Sequence, residues 1–372
     1  METILLISLI LLILINAIAI VNVIAGPLQR SYSSPTTTPL VSVLVPARNE
    51  ERNLSACLEY LSQQSYPHLE IRVLNDHSVD GTLAIARKAA EHDPRITIIA
   101  GEELPEGWTG KNWACYQLSR RATGQIMLFV DADVRARRGA IESLVAMLER
   151  FHADAATAFP QQALSGIFAK AVIPIMDVLL YGALPLRLVR VKAFPSLSAA
   201  NGQWIAFRRE AYEAIGTHSA VRMNIVEDVA LARRVKEQKM RLVVASGVGS
   251  VDCAMYDGLP EIVEGFSKNF FAAFNFRLLA FIPVLLLLAL LFVLPFVMLL
   301  VDIAPIVIGL VALNFSLRGM LALRFRHGVA SVFLHPFGVV IALAIGLNAI
   351  RLYYHRKGVF WKGRMISVRT PS

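Results

Sequence analysis

Gln125-Ile126-Met127-Leu128-Phe129-Val130-Asp131-Ala132-Asp133-Val134 decides how this chain is read. An apolar run delivers two carboxylates, two positions apart. A strand projects residues i and i+2 to the same side. At its carboxyl end, that geometry would let both acids reach one hard divalent cation through oxygen. Magnesium or manganese held this way keeps open positions for a substrate's phosphates. Alone the pattern says little, because acidic pairs at strand ends and in turns are common. Its neighbours give it meaning.

Upstream, strand and helix patterns alternate. Leu40–Val45 is a β-branched apolar strand ending at Pro46, and Glu51–Gln63 carries Leu54, Leu58 and Leu61 at helical spacing. Ile71–Leu74 is a strand that runs into Asn75-Asp76, Thr82–Glu91 a helix, Ile96–Ile99 a strand and Asn112–Arg121 a helix. Such alternation predicts an α/β domain with a mostly parallel sheet covered by helices. Ligands of these sheets bind beyond the carboxyl ends of the strands. Three polar strand ends would share one crevice: Pro46-Ala47-Arg48-Asn49-Glu50, Asn75-Asp76-His77-Ser78 and Asp131-Ala132-Asp133.

The composition is 55% hydrophobic and 17% charged, too apolar for an ordinary soluble protein. The excess lies in Ile4–Ala25, Leu278–Val301, Ile303–Leu323 (interrupted by Arg318) and Val329–Ile350 (interrupted by His335-Pro336). Each is long enough to span a bilayer. The first is too long for a signal peptide and Ala25-Gly26-Pro27 is a poor cleavage site, so it reads as a retained anchor. Ala171–Val189 is apolar too, with Pro174, Pro185 and one acid, Asp177. It reads either as a buried core helix or as a membrane-facing wall for a lipid. Net charge is +9, but the basic residues flank the apolar runs and form no aromatic-interleaved stripe, so no nucleic-acid partner is expected. Arg30, Lys268, Arg277, Arg324, Arg326, Arg351, Arg356, Lys357, Lys362 and Arg364 suit a cytoplasmic, anionic membrane surface. Cys57, Cys115 and Cys253 are odd in number and far apart, which argues against a disulfide framework.

Val43-Leu44-Val45-Pro46-Ala47-Arg48-Asn49-Glu50, Asn75-Asp76-His77-Ser78-Val79-Asp80-Gly81-Thr82, Gly110-Lys111-Asn112, Asp131-Ala132-Asp133 and Val226-Glu227-Asp228-Val229-Ala230-Leu231 follow one another in an order that resembles an inverting glycosyltransferase of family 2. The similarity covers about residues 40 to 270. It implies the GT-A fold, a Rossmann-like, mostly parallel sheet. The surrounding apolar runs resemble the membrane-bound subgroup that glycosylates lipids such as hopanoids, carotenoids or ceramide-like acceptors. The implied division is an anchor at 1–30, a catalytic domain at 31–277 that opens with a linker over Ser31–Pro39, membrane helices at 278–350 and a basic tail at 351–372.

The resemblance also implies roles. Pro46, Arg48, Glu50 and Asp76 would bind the nucleotide, Asp76 by accepting from a uracil ring N–H. Arg48 and Lys111 would counter the diphosphate charge. Asp131 would handle ribose and metal, and Asp133 would be the direct ligand of a magnesium or manganese ion that stabilises the departing diphosphate. Glu227-Asp228 opens a helical segment, where acids are also favoured by capping and the helix dipole. The family places its general base at the second acid, so Asp228 would deprotonate the attacking hydroxyl, with Glu227 beside it. On the acceptor side, Gly202 would permit close approach of a ligand. Trp204 would stack on a sugar, a core position being the alternative. The partners implied are a UDP-sugar, a lipid acceptor and the membrane, with the catalytic domain cytoplasmic.

Two departures matter. Processive polysaccharide synthases of the family carry Gln-x-x-Arg-Trp after the base, and no Arg-Trp pair occurs here. Phe266-Ser267-Lys268-Asn269-Phe270 stands in its place, with Lys268 a candidate substitute for the arginine. Asn75-Asp76-His77-Ser78 also replaces the more usual acidic pair. Rival readings are transfer to a polyprenyl phosphate, a short-chain polysaccharide synthase and a non-catalytic membrane partner. The basic tail, including Trp361-Lys362-Gly363-Arg364, favours a cytoplasmic C-terminus. That requires either Ile303–Leu323 or Val329–Ile350 not to cross the membrane.

Overall fold

The computed structural model describes residues 2–32, 34–190, 194–356, 358–361 and 364–367. Contacts divide the chain into two compact units: Gly26–Ala163 with Arg187–Met255, and Met1–Ala25 with Leu164–Leu186 and Tyr256–Ser372.

The first unit contains β1 (Val41–Ala47), β2 (Leu69–Asn75), β3 (Ile96–Ala100), β4 (Ile126–Val130), β5 (Val134–Ala136), β6 (Ala155–Phe159), β7 (Gln161–Gln162), β8 (Trp204–Arg208), β9 (Leu242–Ser246) and β10 (Val251–Cys253). Seven of them form one sheet in the order β3-β2-β1-β4-β8-β6-β9. Every pairing is parallel except those of β8, which runs antiparallel to β4 and β6. β5, β10 and β7 make a smaller sheet. The expected α/β architecture with a mostly parallel sheet is therefore the one observed. Helices cover both faces of such a sheet, which is why β4 reads as an unbroken apolar run and β1 as one interrupted only by Ser42. Val41, Val43, Leu44, Val45, Leu128 and Val130 are fully buried.

The strands expected ahead of Asp131 appear with small shifts at their ends. The helix expected from Glu51 starts later, at Leu54, because Asn53 N–H and Leu54 N–H both donate to Glu50 O and close a turn first. A second difference concerns the acidic pair. Asp131 and Asp133 lie beyond the last residue of β4, in a turn closed by Val134 N–H donating to Asp131 O at 3.1 Å. A turn, not strand alternation, sets their relative direction.

In the second unit, the helices Glu2–Ala25, Gly166–Ala183, Leu278–Leu299, Pro305–Phe325 and His335–His355 are each long and apolar enough to cross a membrane. Four correspond to the expected runs. The remaining one covers the segment that had two readings, and it groups with these helices and not with the sheet. Buried asparagines join helix to helix by donating to carbonyls, a device suited to apolar surroundings. Asn16 Nδ2 donates to Leu313 O (3.3 Å), Asn22 Nδ2 to Tyr181 O (2.8 Å) and Leu184 O (2.7 Å), and Asn314 Nδ2 to Leu291 O (3.0 Å).

The last long helix runs antiparallel to Leu278–Phe292. His335 packs on Phe292 (ring centroids 5.5 Å apart), Gly346 faces Leu285, and Tyr353 stacks on Phe276 (4.7 Å). It therefore runs alongside the whole of Leu278–Phe292. The preceding chain doubles back along Pro305–Phe325: Phe325 meets His327, Arg318 Nη2 donates to Ser331 Oγ at 2.9 Å, and Phe333 meets Phe315. Gly358–Trp361 then pairs antiparallel with Arg364–Ser367. Lys357, Lys362 and Gly363 of the expected basic tail lie outside the described residues.

Close approach of chain segments fixes the register of β1 against β4. A Cβ on Gly124 would lie 2.6 Å from Leu40 O and 2.7 Å from Ser42 N, both backbone atoms that cannot swing away. Gly124→Ala is expected to destabilise the sheet by about 1–3 kcal/mol, the usual scale of overpacking. Thermal or denaturant unfolding of the purified protein checks this, and an unchanged midpoint would contradict it.

Candidate active site

The loops after β1 and β2 interlock. Ala47 and Asn75 are partners in register, and Asp76 N–H donates to Ala47 O at 2.8 Å. Asn49 N–H donates to Ser78 Oγ (3.1 Å), Val79 N–H to Asn49 Oδ1 (3.0 Å), Glu50 N–H to Thr82 Oγ1 (2.7 Å) and Gly81 N–H to Glu51 Oε2 (3.0 Å). Asn49 and His77 take left-handed backbone conformations, as short polar residues in tight loops can. Arg48 Nη1 donates to Asp76 O at 2.7 Å, and Asp76 is buried. Pro46, Arg48, Glu50 and Asp76 are thus brought together as one rigid edge.

The turn after β4 is held by Asp131 N–H donating to Gln203 O (3.2 Å) and Ala254 N–H donating to Asp133 O (3.2 Å). Lys111, at the start of helix Gly110–Arg121, reaches into it. Its ammonium lies 2.9 Å from Asp131 and 3.0 Å from Glu227, the first residue of helix Glu227–Glu237. The next residue, Asp228, accepts from Gly202 N–H and from Val229 N–H, both at 2.8 Å. Gly202 leaves room for the cluster: a Cβ would sit 3.2 Å from both Glu227 Oε1 and Lys111 Nζ, so those side-chain ends would have to shift. Lys111, Asp131, Gly202, Glu227 and Asp228 therefore form one cluster.

Electrostatics differ across it. Burial pushes the Asp228 carboxyl up to about 6, with the Glu227 charge adding to the rise and Lys111 and the two N–H donors opposing it. Burial works against the Lys111 charge, but Asp131 and Glu227 outweigh it and hold the ammonium well above its ordinary range. His218, hydrogen-bonded to Tyr212 OH at 2.6 Å, is pulled down to about 3 by burial and by Lys111, so it stays neutral. Cys57 and Cys253 are pushed up by burial and by the Asp133 charge.

A hard divalent cation fits this donor set. The acids offer only oxygen, the ligand type that magnesium and manganese take. Lys111 already grips Asp131, so Asp133 is the better placed of the two to hold an ion. No group of three or more His, Cys, Asp or Glu able to hold a metal exists among the described residues, so phosphate oxygens would have to complete the coordination.

One acceptor-side expectation changes. Trp204 has no exposed surface, stands opposite Val130 in the sheet and belongs to its hydrophobic core. Its β8 position turns the indole inward, so it is a core residue and offers no stacking face. Lys268 lies on helix Leu259–Phe270 in the other unit. Residues not singled out from the sequence also contribute. Gln203 Nε2 donates to Asp133 Oδ2 (3.4 Å) and Cys253 Sγ (2.8 Å), and its Oε1 accepts from Gln162 Nε2 (3.1 Å). The cue was present, since Gln203 stands between Gly202 and Trp204, but nothing in its own residue type distinguishes it.

Comparison with known proteins agrees with this geometry. Residues 42–216 match the model of Glycosyl transferase family 2. A 4,4'-diaponeurosporenoate glycosyltransferase of Staphylococcus haemolyticus is 27% identical over 249 residues, which cover 63% of this chain and 61% of that protein. The enzyme of that name from Staphylococcus aureus is 27% identical over 238 residues, covering 62% and 60%. The match thus spans about three-fifths of the curated relatives' length. A mannosyltransferase from Pyrobaculum calidifontis, solved in complex with GDP-Man and Mn2+, has the same fold, the GT-A arrangement, with a TM-score of 0.55, 18% identity and coverage of 95% of this chain and 99% of its own.

The Lys111 bridge has a measurable signature. Lys111→Met leaves Asp131, Glu227 and Asp228 crowded without their cation, a cost relieved as carboxylates protonate. The melting-temperature deficit relative to wild type is expected to shrink as pH falls from about 8 to about 5. A deficit independent of pH would mean that the lysine acts through packing alone.

Proposed function

We propose that this chain, which carries a domain of glycosyl transferase family 2, is a membrane-bound glycosyltransferase that moves a single sugar from a UDP-sugar to the hydroxyl of a membrane lipid, with inversion. The observation that carries this reading is the cluster in which one ammonium joins Asp131, on the donor-side turn, to the Glu227-Asp228 pair. It brings a phosphate-and-metal acid and a candidate base to one point. Asp228 accepts the proton of the attacking hydroxyl, and its raised pKa makes it a stronger base than an exposed carboxylate. Asp133, with Asp131 beside it, would hold a magnesium or manganese ion, whose charge stabilises the departing diphosphate. Arg48, Glu50 and Asp76 form the nucleotide edge and Gly202 the acceptor-side floor. The substrate in the relatives' name supports a lipid acceptor.

A carboxylate acceptor, as that name indicates, would arrive ionised and need no base, whereas a hydroxyl does. Asp228→Asn separates the two. For a hydroxyl acceptor, turnover of the full-length enzyme is expected to fall at least ~100-fold with UDP binding retained, and the wild-type rate to decline as pH drops through about 6. Asp133→Ala is expected to remove the metal-dependent part of UDP binding, measured by calorimetry, without altering the melting temperature. Full activity in chelator-treated enzyme would overturn the metal role.

The sheet-bearing unit faces the cytoplasm in this reading, where UDP-sugars are made and three buried thiols stay reduced. Glu2–Ala25 is the anchor. Both flanks of Gly166–Ala183 join strands of one sheet, so that segment enters and leaves the bilayer on one side. Leu278–Leu299 and Pro305–Phe325 cross out and back. The doubled-back chain after Arg326 supports a re-entrant dip, returned to its own side by His335–Arg356. Of the two candidates, Val329–Ile350 is then the run that does not cross, and the basic tail ends inside. Thr370→Cys is expected to resist a membrane-impermeant thiol reagent in intact cells and to react after permeabilisation. Ready labelling from outside would mean that all the C-terminal runs cross.

A further inference from the structure

The residue after Lys111 has no role in the reaction as described, yet it is fully buried. Asn112 Nδ2 donates to three backbone carbonyls: Val221 O (2.8 Å), Asn224 O (3.0 Å) and Arg222 O (3.2 Å). Thr109 N–H adds a fourth bond from the same helix end, to Arg222 O at 2.8 Å. Those carbonyls belong to the loop that ends at Val226 and hands the chain directly to Glu227-Asp228. The neighbouring loop residues Met223 and Asn224 are exposed, so little packing holds the loop from outside. Its position is set from within, by the Asn112 side-chain amide together with Thr109 N–H.

We infer that Asn112 is a positioning residue that fixes Asp228 relative to the donor-side acids. Adjacent residues of one helix terminus divide the task. Lys111 ties the side chain of Glu227 to Asp131, and Asn112 ties the backbone leading to Glu227. Only a side chain with two N–H groups and this length can satisfy several convergent carbonyls; aspartate would turn acceptor oxygens onto them. Without the clamp, those carbonyls seek water and the loop drifts by fractions of an ångström. Misplacement of that size at a reacting centre lowers rates steeply. The inference rests on Asp228 being the base, as proposed above.

The test is a double-mutant cycle in the full-length, membrane-extracted enzyme with Asn112→Ala, Asp228→Asn and the pair. Asn112→Ala is expected to lower kcat about 10- to 100-fold, with the KM for the sugar donor and the affinity for UDP within about threefold of wild type. A residue that acts through Asp228 costs nothing once Asp228 is gone, so the double variant should match Asp228→Asn alone. Thr109→Ala, which removes the side-chain cap of the same helix and leaves the clamp intact, controls for loss of helix stability. It is expected to lower the melting temperature with kcat nearly unchanged. If Asn112→Ala does not accumulate, Asn112→Ser enters the same cycle. Additive losses, an unchanged kcat in Asn112→Ala, or an equal kcat loss in Thr109→Ala would each overturn the positioning role. Wild-type turnover in Asp228→Asn would instead overturn the base assignment, and this inference with it.

Discussion

The ion cluster around Lys111 is the constraint on which the rest of the site depends. A lysine ammonium has three donors and no fixed plane, so it can serve carboxylates arriving from different directions. Here it meets Asp131 on the turn after β4 and Glu227 at the start of a helix. Three acids could not share so small a space without it. Each would repel the others or protonate, and burial already drives Asp228 part of the way there. The helix N-terminus beneath Glu227-Asp228 contributes in the same sense, because its free N–H groups favour negative charge.

The sheet is what makes this meeting possible. β1, β2 and β4 run parallel, so their carboxyl ends lie on one edge, and the loops that follow can interlock. β8 runs against its neighbours and therefore begins where β4 ends. This single reversal sets Gly202 and Gln203 beside the acidic turn: Gly202 N–H reaches Asp228 and Gln203 reaches Asp133. A parallel β8 would have brought its other end to the site.

Much of this was legible in the sequence, for identifiable reasons. Buried parallel strands write themselves as unbroken apolar runs, and the polar residues at their ends stand out against that background. Asp131 was visible because charge at the end of an apolar run is unusual, whereas Lys111 and Asp228 stood out only through the resemblance of the motifs around them to family 2 glycosyltransferases. Asn112 and Gln203 were not visible, because their importance lies in which carbonyls and carboxylates the fold brings to them. Trp204 had two readings, a sugar-stacking face and a core position, and the alternation of β8 turns it into the core. The apolar runs were found by length, but length cannot distinguish a crossing from a dip. The structure adds pairings such as Phe333 with Phe315 and His335 with Phe292, which hydropathy does not record.

The acidic turn offers fewer protein ligands than a closed metal site, and this has a physical consequence. A cation held by one or two carboxylates keeps most of its water, so binding to the protein alone is weak. On the proposed reading, phosphate oxygens would complete the ligand set that Asp133 and Asp131 begin, and the ion would offset the repulsion between a diphosphate and Asp131, Asp133, Glu227 and Asp228. Ion and nucleotide would then raise each other's affinity by the same factor. A fully ligated site would retain its metal but hold a diphosphate more tightly, so a sparse ligand set balanced by Lys111 suits the proposed transfer.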